Sequence, residues 1–534
     1  MAQLRTFADL KNNYRIREEE TRIYVKIGKT LLVLVGFEES RSPPMGSNVI
    51  ATGNNVIVSP NDGGGVDYEE AYLFAERTRN NNSLSPEQAF AHMVKAMLGT
   101  GLLSLPLAFK HAGLWLGLVL MVILCAICLY CMRLVVYAAH YICRRNGRDV
   151  IDYANVMRSA VESGPTWISI HGYFFKQLLN INMFCAQLGF CCVYFVFMAD
   201  NIQSHIHLLI LLSSLVKCPF KFFDMNTMIH ISRSVWMVLL LIPILLICSI
   251  RHLNKLAPFA LLANCLYLSA VFILLYFFFT HLKPSSDFPA IGQIENIPLY
   301  FGTVLFAFEG VAVILPVESR MSQPQLFIKW NGVLNCSCLV VMIIFAMMGF
   351  YGYLAVGDEV SDTITLNVPH EPMYQSIKLI FSLCVMVSYP LQFFIPMERV
   401  EKWMTRKIPV ESQTAYIYFA RYGIVLLTCA IAELIPHLAL FISFIGAFSG
   451  SSMALLFPPF IDLLVSHSRG KLVLKVWIID LTLLLFALIG LVAGSYTALI
   501  EIFRKIGQPK IPLNSDFYCE TKDVSYRQQL FGNI

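Results

Sequence analysis

An all-α integral membrane protein with eleven transmembrane helices is the fold class that this sequence predicts. Three observations carry it. Of the 534 residues, 57% are hydrophobic and 14% charged, against roughly 45–50% and about 25% in soluble domains. The mean hydropathy is +0.62. From Pro86 onward, apolar runs of about 20 residues alternate with short polar loops, and each such run is long enough to cross a ~30 Å hydrocarbon layer as a helix. The same composition argues against nucleic acid as a partner. The net charge of +5 is small, and no basic run is interleaved with aromatics. No nucleophile–base set, metal cluster or phosphate loop stands out, so no enzyme activity, catalytic residue, metal or organic cofactor is expected.

The organisation follows from where polar sequence collects. Residues 1–85 are read as a disordered cytosolic N-terminal tail, because Ser40–Gly65 is rich in Gly, Pro, Ser and Asn and cannot bury a core. No secretory signal peptide is expected, since the first 30 residues are basic without an apolar run. The eleven-span body covers 86–500, and residues 501–534 form an exoplasmic C-terminal tail. The spans fall at about 88–109, 113–139, 172–199, 234–250, 257–280, 297–316, 333–355, 374–397, 416–435, 437–464 and 474–500. Loops 140–171, 251–256, 317–332, 398–415 and 465–475 hold fifteen Lys and Arg, and the opposite set holds five. The basic set is therefore assigned to the cytosol. Most of the 15 cysteines, including Cys125, Cys128 and Cys131, lie in apolar segments, where Cys acts as a small hydrophobe.

Two spans carry candidate chemistry. The first contains His92, Lys95, Gly99, Thr100, Gly101 and Pro106; the sixth contains Gly302, Phe306, Phe308, Glu309, Gly310 and Pro316. Gly and Pro loosen a helix, and freed backbone groups are tolerated in lipid only where they face protein or a water-filled cavity. Interrupted spans at matched places in two five-span halves point to a binding site. Close packing through small residues is the alternative. Glu309, placed near the bilayer midplane, is a functional-site hypothesis by default. Lys95 is its candidate ion-pair partner, in a coupled or a purely structural pair. His92 lies one helical turn before Lys95 and titrates near neutral pH, which suits proton pickup, though an interfacial structural His is the plainer reading.

The stretch from His92 to Pro106 resembles the first-helix motif of the proton-coupled amino-acid transporters, a branch of the amino acid/auxin permease superfamily. Gln187–Asn201, Phe306–Glu318, Cys143–Arg145, Val150–Tyr153 and Ile364–Pro369 resemble the same branch. The resemblance covers about 85–500. It implies a LeuT-like 5+5 inverted repeat plus one helix, with helices 1 and 6 broken. It implies symport of H⁺, the coupling ion, with small neutral amino acids such as glycine, alanine and proline. Gly99, Thr100, Gly101, Phe306, Phe308 and Gly310 are then the candidate substrate site, and His92 and Glu309 the proton-coupling residues. The family's exoplasmic disulfide has no counterpart: Cys218 is present, but Pro369–Pro372 lacks a Cys. Cys519 is the remaining exoplasmic thiol, so Cys218 and Cys519 are either free or paired with each other. Plasma membrane and lysosomal or endosomal membrane are both open; Tyr24–Ile27 fits a tyrosine-based sorting signal, a pattern that also arises by chance. A second function class is an amino-acid sensor or signalling platform with little flux, whose long N-terminal tail recruits cytosolic partners.

Overall fold

The structure, a computed structural model, describes residues 84–147, 150–215, 233–250, 257–369, 371–435, 437–470 and 473–507. The expectations for residues 1–83, for Tyr24–Ile27, for Cys218 and for the tail beyond 507, Cys519 included, lie outside these residues. The described chain is helical. Helix α1 (Pro86–Met97) starts at a capping box: Ser85 Oγ accepts from the Gln88 N–H at 3.3 Å, and Gln88 Oε1 accepts from the Ser85 N–H at 3.1 Å. Those bonds satisfy two of the donors that a helix start leaves open, and Pro86 gives up none. Helix α2 (Gly101–Ala112) follows at a bend of 55°.

After them come α3 (Leu114–Asn146), α4 (Tyr153–Glu162), α5 (Thr166–Ser169), α6 (Gly172–Leu215), α7 (Arg233–Cys248), α8 (Ala257–Thr280), α9 (Ile297–Ala307), α10 (Val311–Glu318), α11 (Gln325–Ile328), α12 (Val333–Val356), α13 (Pro372–Thr405) and α14 (Val410–Glu433). The last membrane hairpin is α15 (Leu438–Ile445), two π-helical segments (Gly446–Gly450 and Ser452–Leu456), α16 (Phe457–Ser468) and α17 (Leu474–Gly507).

Among the described residues, nine helices are long and apolar enough to cross a membrane, and α1 with α2 makes a tenth as one bent span. The expected fourth span is α7. Its 16 residues reach about 24 Å at 1.5 Å per residue, short of the hydrocarbon thickness. Several helices outrun their expected ends: α6 continues to Leu215, α13 to Thr405, and α17 to Gly507, past the expected domain end at 500.

The interior is built on α2, α9 and the π segments. Gly302 lets α9 touch α15, and Gly446 lets the first π segment touch α9: a methyl group on Gly302 would strike Ser443 O, and one on Gly446 would strike Gly302 O. Helix α17 lies outermost, with 11% of its apolar window buried in the protein. Polar contacts run within each loop set rather than between sets. On one face Lys110 Nζ donates to Asp358 O at 2.6 Å, Lys283 Nζ donates to Val356 O at 2.8 Å, and His437 pairs with Asp362 at 3.6 Å. On the other, Arg145 donates to Ser468 Oγ at 2.9 Å, and the Leu84 N–H donates to Arg320 O at 2.7 Å. Burial pushes the Asp362 carboxyl up, but the hydrogen bond and charge of His437 outweigh it and hold it below its usual value.

Candidate functional site

Both expected interruptions are present. In the first, α1 ends at Met97 and Leu98 takes extended geometry (φ −82°, ψ 95°). The Gly99 carbonyl, freed by the bend, accepts a hydrogen bond from Tyr267 Oη of α8 at 2.9 Å. The Leu102 N–H also bonds to Gly99 O at 3.2 Å and the Leu103 N–H to Thr100 O at 3.1 Å, so the donors a helix start leaves open are here those of Thr100 and Gly101. In the second, Phe308, Glu309 and Gly310 separate α9 from α10. The Phe308 N–H still bonds to Val304 O at 2.9 Å, and helical bonding resumes when the Val313 N–H bonds to Gly310 O at 3.0 Å.

The two breaks abut. A methyl group on Gly101 would stand 2.9 Å from Ala307 Cα and 3.0 Å from Phe306 Cδ1. One on Gly310 would stand 2.9 Å from Met97 Cε. At Gly101 the close atoms include the α9 backbone, which leaves no room for a side chain; at Gly310 they belong to the flexible Met97 side chain, which can give way. Gly99 differs: nothing lies within 4 Å of the place its methyl group would take. The first break is thus tight on its α9 side and open at Gly99.

Unpaired polar groups lie on both breaks and on α2. The Oε1 and Oε2 of Glu309, the Oγ1 of Thr100 and the Oγ of Ser104 are closed to solvent without a hydrogen-bond partner among the described residues. Buried polar atoms are normally paired, so such a concentration marks a place that something else completes. Aromatic rings flank the second break. Phe306 packs on Phe190 of α6 with centroids 4.6 Å apart, and Phe308 packs on Phe345 of α12 at 4.9 Å. Ser104 and Gln187, one turn before Phe190, lie in the motifs read from the sequence but were not assigned to the site, and Ser449 in the first π segment was not singled out. Gln187 Oε1 and Ser449 Oγ are also buried and unpaired. The signal that could have found them is a lone polar residue within an apolar run, on the face that carries a site residue.

The expected Lys95–Glu309 pair is not formed, and this corrects the sequence reading. Glu309 has no partner among the described residues. Lys95 is half-buried on α1, on the other side of the bend from α2. Helical spacing fixes which residues share a face of α1, not which face turns to α10. His92 is exposed, two turns before the bend, with Lys95 and Arg320 as the charges nearest it. No hydrogen bond joins it to Glu309. The sequence also gave no sign of the buried contact between His140 Nε2 and Glu318 Oε1 at 2.9 Å, which joins α3 to the end of α10.

Interrupted helices facing each other inside an apolar bundle are a way in which membrane transporters build their binding sites. The chain belongs to the transmembrane amino acid transporter protein family, whose model matches residues 82–500. Among its relatives, the proton-coupled amino acid transporter-like protein pathetic of Drosophila melanogaster is 29% identical over 392 residues, covering 73% of this chain and 79% of that protein. The probable amino acid transporter skat-1 of Caenorhabditis elegans is 24% identical over 445 residues, covering 81% of this chain and 93% of that protein. Both names are those of transporters, not enzymes. The crystal structure of MhsT in complex with L-phenylalanine aligns at a TM-score of 0.42 and 13% identity, over 78% of this chain and 100% of that one.

Proposed function

We propose that the chain is a proton-coupled symporter of small neutral amino acids of the glycine, alanine and proline class. The observation that carries this reading is the unpartnered Glu309 carboxylate set between two abutting breaks whose glycines leave one open position. The substrate's α-carboxylate is held by the N–H groups at the start of α2, near Gly99, Thr100 and Gly101, where a helix N-terminus favours an anion. Its ammonium group meets the open carbonyls at the end of α9 and the Glu309 side. Phe306 and Phe308 bound the space for its side chain, and Gly310 admits the backbone approach. H⁺ is carried by His92 and Glu309. In this reading α7 completes an eleven-span, 5+5 LeuT-like arrangement, with α1–α2 as helix 1 and α9–α10 as helix 6. The N-terminus and the loops rich in Arg are cytosolic. The protein resides in the plasma membrane or in a lysosomal or endosomal membrane.

Coupling requires that substrate and proton change each other's affinity by the same factor. Reconstituted wild-type protein should therefore accumulate glycine, alanine or proline when an inward pH gradient is imposed. His92→Ala should lose the response to the gradient while retaining substrate binding. Gradient-driven accumulation by His92→Ala equal to wild type would assign the proton to Glu309 alone. A wild-type protein that binds these amino acids but never accumulates them would overturn symport.

A further inference from the structure

Away from the breaks, α16 and α17 bring two carboxyl groups together. Asp462 lies six residues before the end of α16, and Asp480 six residues after the start of α17. Each is therefore about 9 Å from the connecting loop along its helix, at 1.5 Å per residue. Asp480 is fully buried, with 0% exposure. Neither of its oxygens receives a hydrogen bond from a nitrogen or hydroxyl donor among the described residues. Asp462 is half-buried, and the two carboxyl groups lie within hydrogen-bonding reach of each other.

An ionised carboxylate only accepts hydrogen bonds. Two ionised carboxylates in contact would repel each other in a poorly screened place, and neither could donate. Among the described residues no cation acts on Asp480. Tyr130 and Cys131 face it from α3, and neither is cationic. Arg469, at the end of α16, acts on Asp462 and stacks on Tyr141 at 5.3 Å. Lys475, on α17 itself, is exposed. Also packed on α17 are α15 and the two π segments, which carry no titratable side chain. Helix α9 carries one, Tyr300, whose hydroxyl donates to Gly117 O at 2.5 Å.

We propose that Asp462 and Asp480 form a proton-binding site inside the bilayer, separate from the helix breaks, in which one proton is shared between the two carboxyl groups. The proton comes from water on the side of the 469–473 loop and enters at the half-buried Asp462. It forms one O–H bond, on one carboxyl oxygen, and that O–H donates to the other carboxylate. The charge of the pair changes from −2 to −1. The bound proton supplies the donor that the protein does not, and it lets α16 and α17 stay packed.

The test is infrared spectroscopy of the full-length protein in lipid nanodiscs, in light and heavy water. At neutral pH the wild type should show the carbonyl stretch of a protonated carboxylic acid. Asp480→Asn and Asp462→Asn should each remove the same band, because the remaining carboxylate then accepts from the new amide and stays ionised. The double variant should remove no more than either single one. Glu309→Gln serves to separate any band due to Glu309, which should be lost independently and additively. Unchanged protonated-carboxyl intensity in both single variants would overturn the proposal. Should those variants not fold, the wild type alone decides: a spectrum without a protonated-carboxyl band at neutral pH excludes the shared proton. Transport is not the readout, so failure of the symport reading leaves this result intact.

Discussion

Two buried carboxylates bracket the short helix α10, and their circumstances are opposite. Glu318, at its last residue, meets His140 Nε2 at 2.9 Å, and both side chains are almost wholly enclosed. Glu309, two residues before its start, has no partner for either oxygen among the described residues. Leaving a charge unpaired in an apolar interior is costly, and partnering it removes much of that cost. Glu318 is thus anchored as part of the architecture. Glu309 stays in place because the rest of the fold holds it; under the proposed symport its partner is the substrate or the proton.

That contrast can be broken at either end. The largest effect is expected at the paired end. His140→Ala removes a buried partner of Glu318 and should destabilise the protein by up to about 3–5 kcal/mol, the range for breaking a buried pair. Thermal unfolding in detergent would read this, and an unchanged melting temperature would mean that the contact is not an anchor. At the unpaired end the effect should move from stability to transport. Glu309→Gln should alter unfolding by less than about 1 kcal/mol, since no partner is lost. Gradient-driven accumulation should nevertheless fall by about tenfold or more, within the range of ordinary coupling energies. Adding Lys95→Ala should change either readout only additively, within about 0.5 kcal/mol, because the two groups do not touch. The smallest effect belongs to a carboxylate near water. His437 holds the Asp362 carboxyl below its usual value, so the pair contributes stability above the ordinary carboxylate pKa. That contribution disappears as pH falls through the lowered value. Partial exposure keeps it under about 1 kcal/mol. Asp362→Asn should therefore be slightly less stable than wild type at neutral pH and equal to it in acid.

Much of the fold was legible because it rests on local signals. Long apolar runs marked the helices, and glycines beside Thr100 and Glu309 marked the places where two of them stop and restart. The errors arise where the signal is not local. Helices α13 and α17 run past the hydrophobic segments because backbone hydrogen bonding continues through charged residues such as Glu398, Lys402, Glu501 and Arg504, where hydropathy has nothing to report; the α6 extension itself carries an apolar run. The Lys95–Glu309 pair was drawn from two residues that each need a partner, but only packing decides which way α1 turns. His140 and Glu318 are 178 residues apart, and no spacing rule connects them. The π segments shift the helical phase within one span, so Ser449 could not be assigned a face by counting from α15.

One modest feature has a mechanical consequence. Just before α1, the Leu84 N–H donates to Arg320 O at 2.7 Å, and the Ser322 N–H donates to Leu84 O at 2.9 Å. This short backbone bridge fastens the foot of α1 to the chain just past α10. The same two helices meet again at the other end, where Gly310 packs against Met97. Two half-helices joined at both ends form a linkage with little freedom of its own. A swing of α1 away from the bundle must draw α10 with it, and a load applied to the chain ahead of Leu84 reaches both breaks through a single arm.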